Sequence, residues 1–170
     1  MILENLPIFL HRASNNGGFS GIKLIFSKAN QYIPITCTDE ITITYISGGV
    51  KKTDTYSGLS STLVSIPCDA NTQVVITGAV EDIDLSMQAY LISAKIKNTA
   101  LTSLNCSNCP ALVSISYPAT NEDVATAIAD AITNATAADG TVYTDSQGAY
   151  YSTIETAATA KGWTIEQIAA

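Results

Sequence analysis

A chain of 170 residues has room for one ordinary domain or two small ones. Its 46% hydrophobic residues can build a core and it holds no apolar run of about 18 residues, which excludes a membrane-spanning helix. The net charge of −7 is unevenly held: five Lys/Arg face five Asp/Glu in residues 1–78, and three face ten in residues 79–170. That balance argues against nucleic acid as a partner, since phosphate contacts need clustered Lys and Arg.

Charged residues make up only 14% of the chain, and 37 Ser and Thr supply the missing polarity. Such usage suits β-structure, because Thr favours strands and Ser favours turns. Residues 1–13 form an apolar arm carrying Ile2, Leu3, Leu6, Ile8, Phe9 and Leu10. The arm lacks the basic start and small-residue cleavage site of a signal peptide, and Glu4 and Pro7 interrupt it. The expectation is a protein made and assembled inside a cell, its four cysteines reduced; the six apolar arm residues either supply an edge strand to their own domain or anchor the protein to a partner. Residues 14–21, SNNGGFSG, read as a linker, so that residues 1–21 make one segment.

Residues 22–78 hold short β-rich runs: IKLIF, YIPIT, ITITYI, VKKTDTY, TLVSI and QVVIT. Ile41, Ile43 and Tyr45 alternate with Thr42 and Thr44, which predicts one buried and one wet face. Gly48-Gly49 between two runs predicts a hairpin. Pro34 predicts an edge or bulged strand. Together these runs predict a small β-sandwich.

From residue 79 the pattern changes to apolar-x-x-apolar-x-apolar, four times over. The segments are Val80/Ile83/Leu85, Leu91/Ala94/Ile96, Leu101/Leu104/Cys106 and Leu112/Ile115/Tyr117, starting 11, 10 and 11 residues apart. A period of 21 with this pattern predicts a short leucine-rich solenoid. Its expected core is Leu85, Leu91, Ile96, Leu101, Leu104, Cys106, Leu112 and Ile115.

After Pro118, Val124, Ile128 and Ile132 recur at i+4, which predicts a helix over 121–135 with Asn121 as N-cap. GTVYT (140–144) reads as a strand and residues 149–161 as a helix ended by Gly162. WTI (163–165) reads as a last strand, which gives a parallel βαβ-type cap. The fold class expected is therefore mixed β/α. A small N-terminal β-sandwich (22–78) continues into a short solenoid with a helical, βαβ-type cap (79–170).

Chemistry-bearing residues are few. Cys106 and Cys109 form CSNC, but a structural zinc site needs a second ligand pair and His11 is the only histidine. Both cysteines are therefore expected inside a coil, Cys109 bonding loop backbone. The acidic groups Glu81/Asp82/Asp84, Asp39/Glu40 and Glu122/Asp123 lack the spacing of a calcium loop. No nucleophile, base and orienting group stand in a recognisable pattern, so the expectation is no catalytic residue, no cofactor and no metal.

NTALTSLNCSNCPALVSI and the closing segment from NEDVATAIADAITNA to AKGWTIEQ resemble short leucine-rich-repeat proteins of gut Bacteroidales and of their crAss-like bacteriophages. ITITYISGGVKK and VVITGAVEDIDLS resemble the β-rich N-terminal cap of those proteins. The resemblance implies a non-enzymatic structural protein of a phage virion: a head fibre, a capsid decoration or a tail-associated protein. Its arm would dock on other virion proteins, its repeat part would project toward a host surface receptor, and it would form a homo-oligomer, dimer or trimer. The alternative implied is a surface or secreted adhesin of the bacterium.

Overall fold

A computed structural model describes residues 20–168. The elements in chain order are β1 (Gly21–Phe26), β2 (Gln31–Cys37), β3 (Ile41–Ser47), β4 (Val50–Tyr56), β5 (Leu59–Ile66), β6 (Gln73–Gly78) and β7 (Asp82–Asp84). There follow β8 (Leu91–Lys97), β9 (Ser103–Asn105), β10 (Ser114–Tyr117), α1 (Glu122–Asn134), β11 (Thr141–Thr144), α2 (Tyr151–Lys161) and β12 (Thr164–Gln167).

The strands form two mixed sheets. A long sheet has the order β12-β11-β10-β8-β1-β6-β3-β4, and a short sheet the order β5-β2-β7-β9. In the long sheet β1, β6, β3 and β4 pair antiparallel, whereas β8, β10, β11 and β12 pair in parallel. The two halves meet at an antiparallel β1–β8 pair.

Alternation along each strand sends one set of side chains inward. Ile22, Leu24 and Phe26 of β1 are buried, as are Ile41, Ile43 and Tyr45 of β3, with Thr42 and Thr44 on the other face. Register then lines these residues up across strands. Ile43 faces Ile76, Ile76 faces Ile22, and Ile22 faces Ile96. A second row runs from Val74 through Leu24 and Ala94 to Ile115, Val142 and Ile165. Each fully buried Ile or Leu contributes about 1.5–3 kcal/mol, so these rows dominate the stability of the fold.

The second layer covers those rows. It begins with the short sheet, whose Ile33, Ile35, Val64, Ile66, Ile83 and Leu104 join the same buried cluster. Beyond β9 the layer continues as helices: α1 packs beside β9, and α2 beside α1 and against β11 and β12. Asn121 caps α1 by accepting from the Val124 amide, and Gly162, in the left-handed region at φ 81°, ends α2. Both helix ends fall where the sequence places them.

The solenoid expected over residues 79–117 is corrected by the two mixed sheets. Its four segments do not stack as one self-contained coil. β7 and β9 pair in parallel inside the short sheet, and β8 and β10 inside the long one. Each sheet also contains earlier antiparallel strands: β8 adds to β1, and β7 adds to β2. The physical reason is that β1 and β2 present strand edges and apolar rows of their own, so the segments bury against those rather than only against copies of themselves. The architecture is sandwich-like and mostly β. Leu85, Leu91, Ile96, Leu101, Leu104, Cys106, Leu112 and Ile115 are all buried within it.

Two smaller expectations resolve in the same geometry. The β3–β4 hairpin forms with Ser47 opposite Val50, and its Gly48 and Gly49 have φ of 59° and 74°, as a two-residue I′ turn demands. β2, which holds Pro34, is not the last strand of its sheet. β7 pairs with it only at Ile35 and Thr36, so Pro34 has one strand neighbour and proline is tolerated as on an edge.

Trp163 closes the long sheet's far end. Its ring is buried and its Nε1 donates to the Ala137 carbonyl at 2.9 Å. The indole packs so closely on Gly140 that a Cβ there would overlap three atoms of the ring. Gly140→Ala is therefore expected to cost about 1–3 kcal/mol by overpacking, read as a lowered urea midpoint at unchanged slope. A midpoint equal to the parent's would show that Trp163 is free to shift.

Candidate functional site

The parallel part of the chain turns corners between the two layers, and each corner buries a polar side chain. Gln88 follows β7 and donates from Nε2 to the Tyr32 carbonyl at 2.7 Å. Asn98 follows β8 and donates from Nδ2 to the Gly78 carbonyl at 2.9 Å, while its Oδ1 accepts from the Ala100 amide. Cys109 follows β9 and its Sγ donates to the Leu85 carbonyl at 3.2 Å. All three are buried. Each reaches backwards in the chain to a main-chain carbonyl, which pairs a buried polar side chain that would otherwise be costly. The Gly78 and Leu85 carbonyls also accept from the Val80 and Gln88 amides.

Cys106 sits one turn of chain before Cys109 and bonds the Ala127 carbonyl of α1 at 3.2 Å. Burial pushes its thiol far above the ordinary range, with Cys109 and Asp130 adding to the effect. Burial likewise lifts Cys109 to about 11, helped by Asp84. A thiol must lose its proton to act as nucleophile or metal ligand. Both sulfurs here are held protonated and used as hydrogen-bond donors. Cys37 and Cys68 are also buried and free.

Beside this corner lies a groove of about 300 Å³ between the end of β9 and the start of α1. Asn105, Ser107, Glu122, Asp123, Thr126 and Asp130 line it, so its wall is acidic. Glu122 and Asp123 stand in the first turn of α1, where they complement the helix dipole.

Several other carboxylates serve the backbone. Both Asp69 oxygens accept from the hairpin glycines, Gly48 N–H at 2.9 Å and Gly49 N–H at 2.8 Å. Glu81 accepts from the Thr38 amide at 2.9 Å, and Asp84 from the Ser86 amide at 2.8 Å. Tyr45 donates from its hydroxyl to Asp54 at 2.7 Å; that bond, reinforced by burial, raises its pKa to about 12. Tyr90 is exposed, with the Lys28 ammonium 4.8 Å from its ring centre. Among the described residues no group of three or more His, Cys, Asp or Glu is arranged to hold a metal ion.

His11 and the arm residues Ile2, Leu3, Leu6, Ile8, Phe9 and Leu10 lie outside the described residues. The sequence places Cys109 on loop backbone and assigns no such role to Gln88 and Asn98. One signal was available: Gln88 stands 21 residues before Cys109, the period of the apolar pattern. Comparison with protein-family models, with curated proteins and with solved structures finds no match.

Two expectations follow. Gln88→Ala removes the donor and leaves the Tyr32 carbonyl unpaired, which should cost about 1–3 kcal/mol in a denaturant titration. A loss below the scatter of the titration would mean that water replaces the amide. The second concerns acid. Hydrogen bonds from the hairpin amides hold Asp69 below the ordinary carboxylate range, and those from Thr38 do the same for Glu81. The unfolded chain protonates first, so their contribution is complete above the ordinary range and is lost as pH falls through the lowered native values. The melting-temperature gap between the parent and Asp69→Asn should therefore close progressively below about pH 4. A gap independent of pH would exclude the charged form as its source.

Proposed function

We propose that this chain is a non-enzymatic structural protein of a bacteriophage virion, in the role of head fibre, capsid decoration or tail-associated protein. The observation that carries the reading is the separation of charge and apolarity along the chain. An apolar arm of residues 1–13 precedes a body whose β2 and β5 bear no charge, while the helical end bears Glu122, Asp123, Asp130 and Glu155. An apolar arm suits docking on other virion proteins, and an acidic end suits projection into water. The resemblance of the closing segment to phage and Bacteroidales proteins supports the same reading. The buried thiols held as hydrogen-bond donors favour structure over chemistry at the CSNC motif. A projecting acidic end would meet the host surface, and the particle-bound form would be a homo-oligomer.

The second reading, a surface or secreted adhesin of the bacterium, draws on the same resemblance. Mass spectrometry of purified virions separates the two: the protein is expected in the particle, and recovery only from the cell envelope would favour the adhesin. Deleting residues 1–20 should remove the protein from virions while its melting temperature stays within the range of the full chain. Retention of the truncated chain in particles would end the anchor role of Ile2, Leu3, Leu6, Ile8, Phe9 and Leu10.

A further inference from the structure

Among the described residues, β5 has β2 on one side and no strand on the other. Exposed strand edges are ordinarily blocked by charge, proline or a bulge. β4, at the end of the long sheet, carries Lys51, Lys52 and Asp54, and β12, at its other end, carries Glu166. β9, the far edge of the short sheet, lies beside α1. β5, LSSTLVSI, has neither charge nor proline. Its irregularity is confined to the start, where Ser61 has φ 47° and the register with β2 shifts. From Thr62 to Ile66 it runs in unbroken register against Ile35 to Gln31. Among the described residues that stretch is an unpaired, neutral edge.

The outward face beside it is apolar. Leu63 is 61% exposed and stands opposite Pro34, and Tyr32, 56% exposed, stands opposite Ser65. Charge then selects the occupant. In the second layer the order is β5, β2, β7, β9, α1, α2. The first two strands are uncharged, and the acidic residues begin at Asp82 and Asp84 of β7 and continue on the helices. Two copies of a chain with net charge −7 repel each other. Contact through β5 sets their acidic helical ends furthest apart, where screening suppresses the repulsion.

We infer that β5 is the interface between two copies of this chain, paired antiparallel about a two-fold axis so that two short sheets become one. Such an interface is self-complementary, and neutral strands place no like charges opposite each other. The axis brings the Leu63 and Tyr32 side chains of both copies onto one continuous outward face, an apolar gain that a lone extended peptide would not supply. This rests on the homo-oligomer part of the reading above and is independent of whether the chain belongs to a virion.

The test is sedimentation velocity on the full-length protein from about 1 to about 200 µM, a range that brackets a modest edge-to-edge affinity. A concentration-dependent dimer is expected. Leu63→Lys and Ser65→Lys, both at exposed positions, should each weaken it by about tenfold or more, while Thr55→Lys on the β4 edge leaves it unchanged. A monomer throughout the range, a trimer, or a dimer that folded Leu63→Lys and Ser65→Lys variants leave intact would each overturn the proposal. Should a lysine variant lose its circular dichroism, Thr62→Cys, Leu63→Cys and Ser65→Cys, singly and mixed, decide: oxidative cross-linking of any into a covalent dimer supports β5 pairing, and failure of all to cross-link in a dimeric sample refutes it. Absence of the protein from virions, with the dimer present, would count against the virion reading alone.

Discussion

In the long sheet Ile43, Ile76, Ile22 and Ile96 stand side by side, and the neighbouring row runs from Val74 to Ile165. These rows must be kept from water across seven of the eight strands, and the rest of the chain is spent doing so. How it does so depends on connection length. β7 to β10 follow one another at about ten residues, enough for a short strand and a corner, so the second layer there is made of strands. Between β10 and β11 the chain lengthens to accommodate α1, and between β11 and β12 to accommodate α2. Parallel neighbours cannot be joined by a tight turn and need a crossover. The layer changes from strand to helix where the crossover becomes long enough to hold one.

Much of this was legible residue by residue. Alternation in IKLIF and ITITYI marks the buried face, Gly48-Gly49 marks the hairpin, and Asn121 and Gly162 bound the helices, because each depends on neighbours in sequence. Partnership was not legible. Ile22 pairs with Ile96, and Ile35 with Ile83, across long stretches of chain. An apolar period of 21 says that a row exists, but not which other row covers it. The solenoid reading supplied the nearest partner, another copy of the same segment, and so missed that antiparallel strands had already opened both sheets.

The corner side chains illustrate the same limit at the scale of single atoms. Cys109 was readable because a cysteine at the end of such a segment has few other uses. Gln88 and Asn98 look like ordinary turn residues until the backbone brings the Tyr32 and Gly78 carbonyls to them. Their contribution is as much to register as to stability. A slip of one residue would move Gln88, Asn98 and Cys109 away from their acceptors and leave polar atoms unpaired inside an apolar core. An apolar row alone tolerates sliding along a partner row of similar shape. The three donors do not, because each has one acceptor.

Hydrogen bonding also offsets part of the charge in the acidic half of the chain. Asp84 and Glu81 each accept from a backbone amide, and Glu122 and Asp123 stand at the positive end of α1. Part of the negative charge is thus placed where amides or a helix dipole favour it. The consequence is a molecule that differs from end to end: β2 and β5 present neutral backbone and a few aliphatic or aromatic groups, and the helices present carboxylates. Association at the helical end would have to overcome like-charge repulsion and strip water from ionised groups. Association at the strand end meets neither cost.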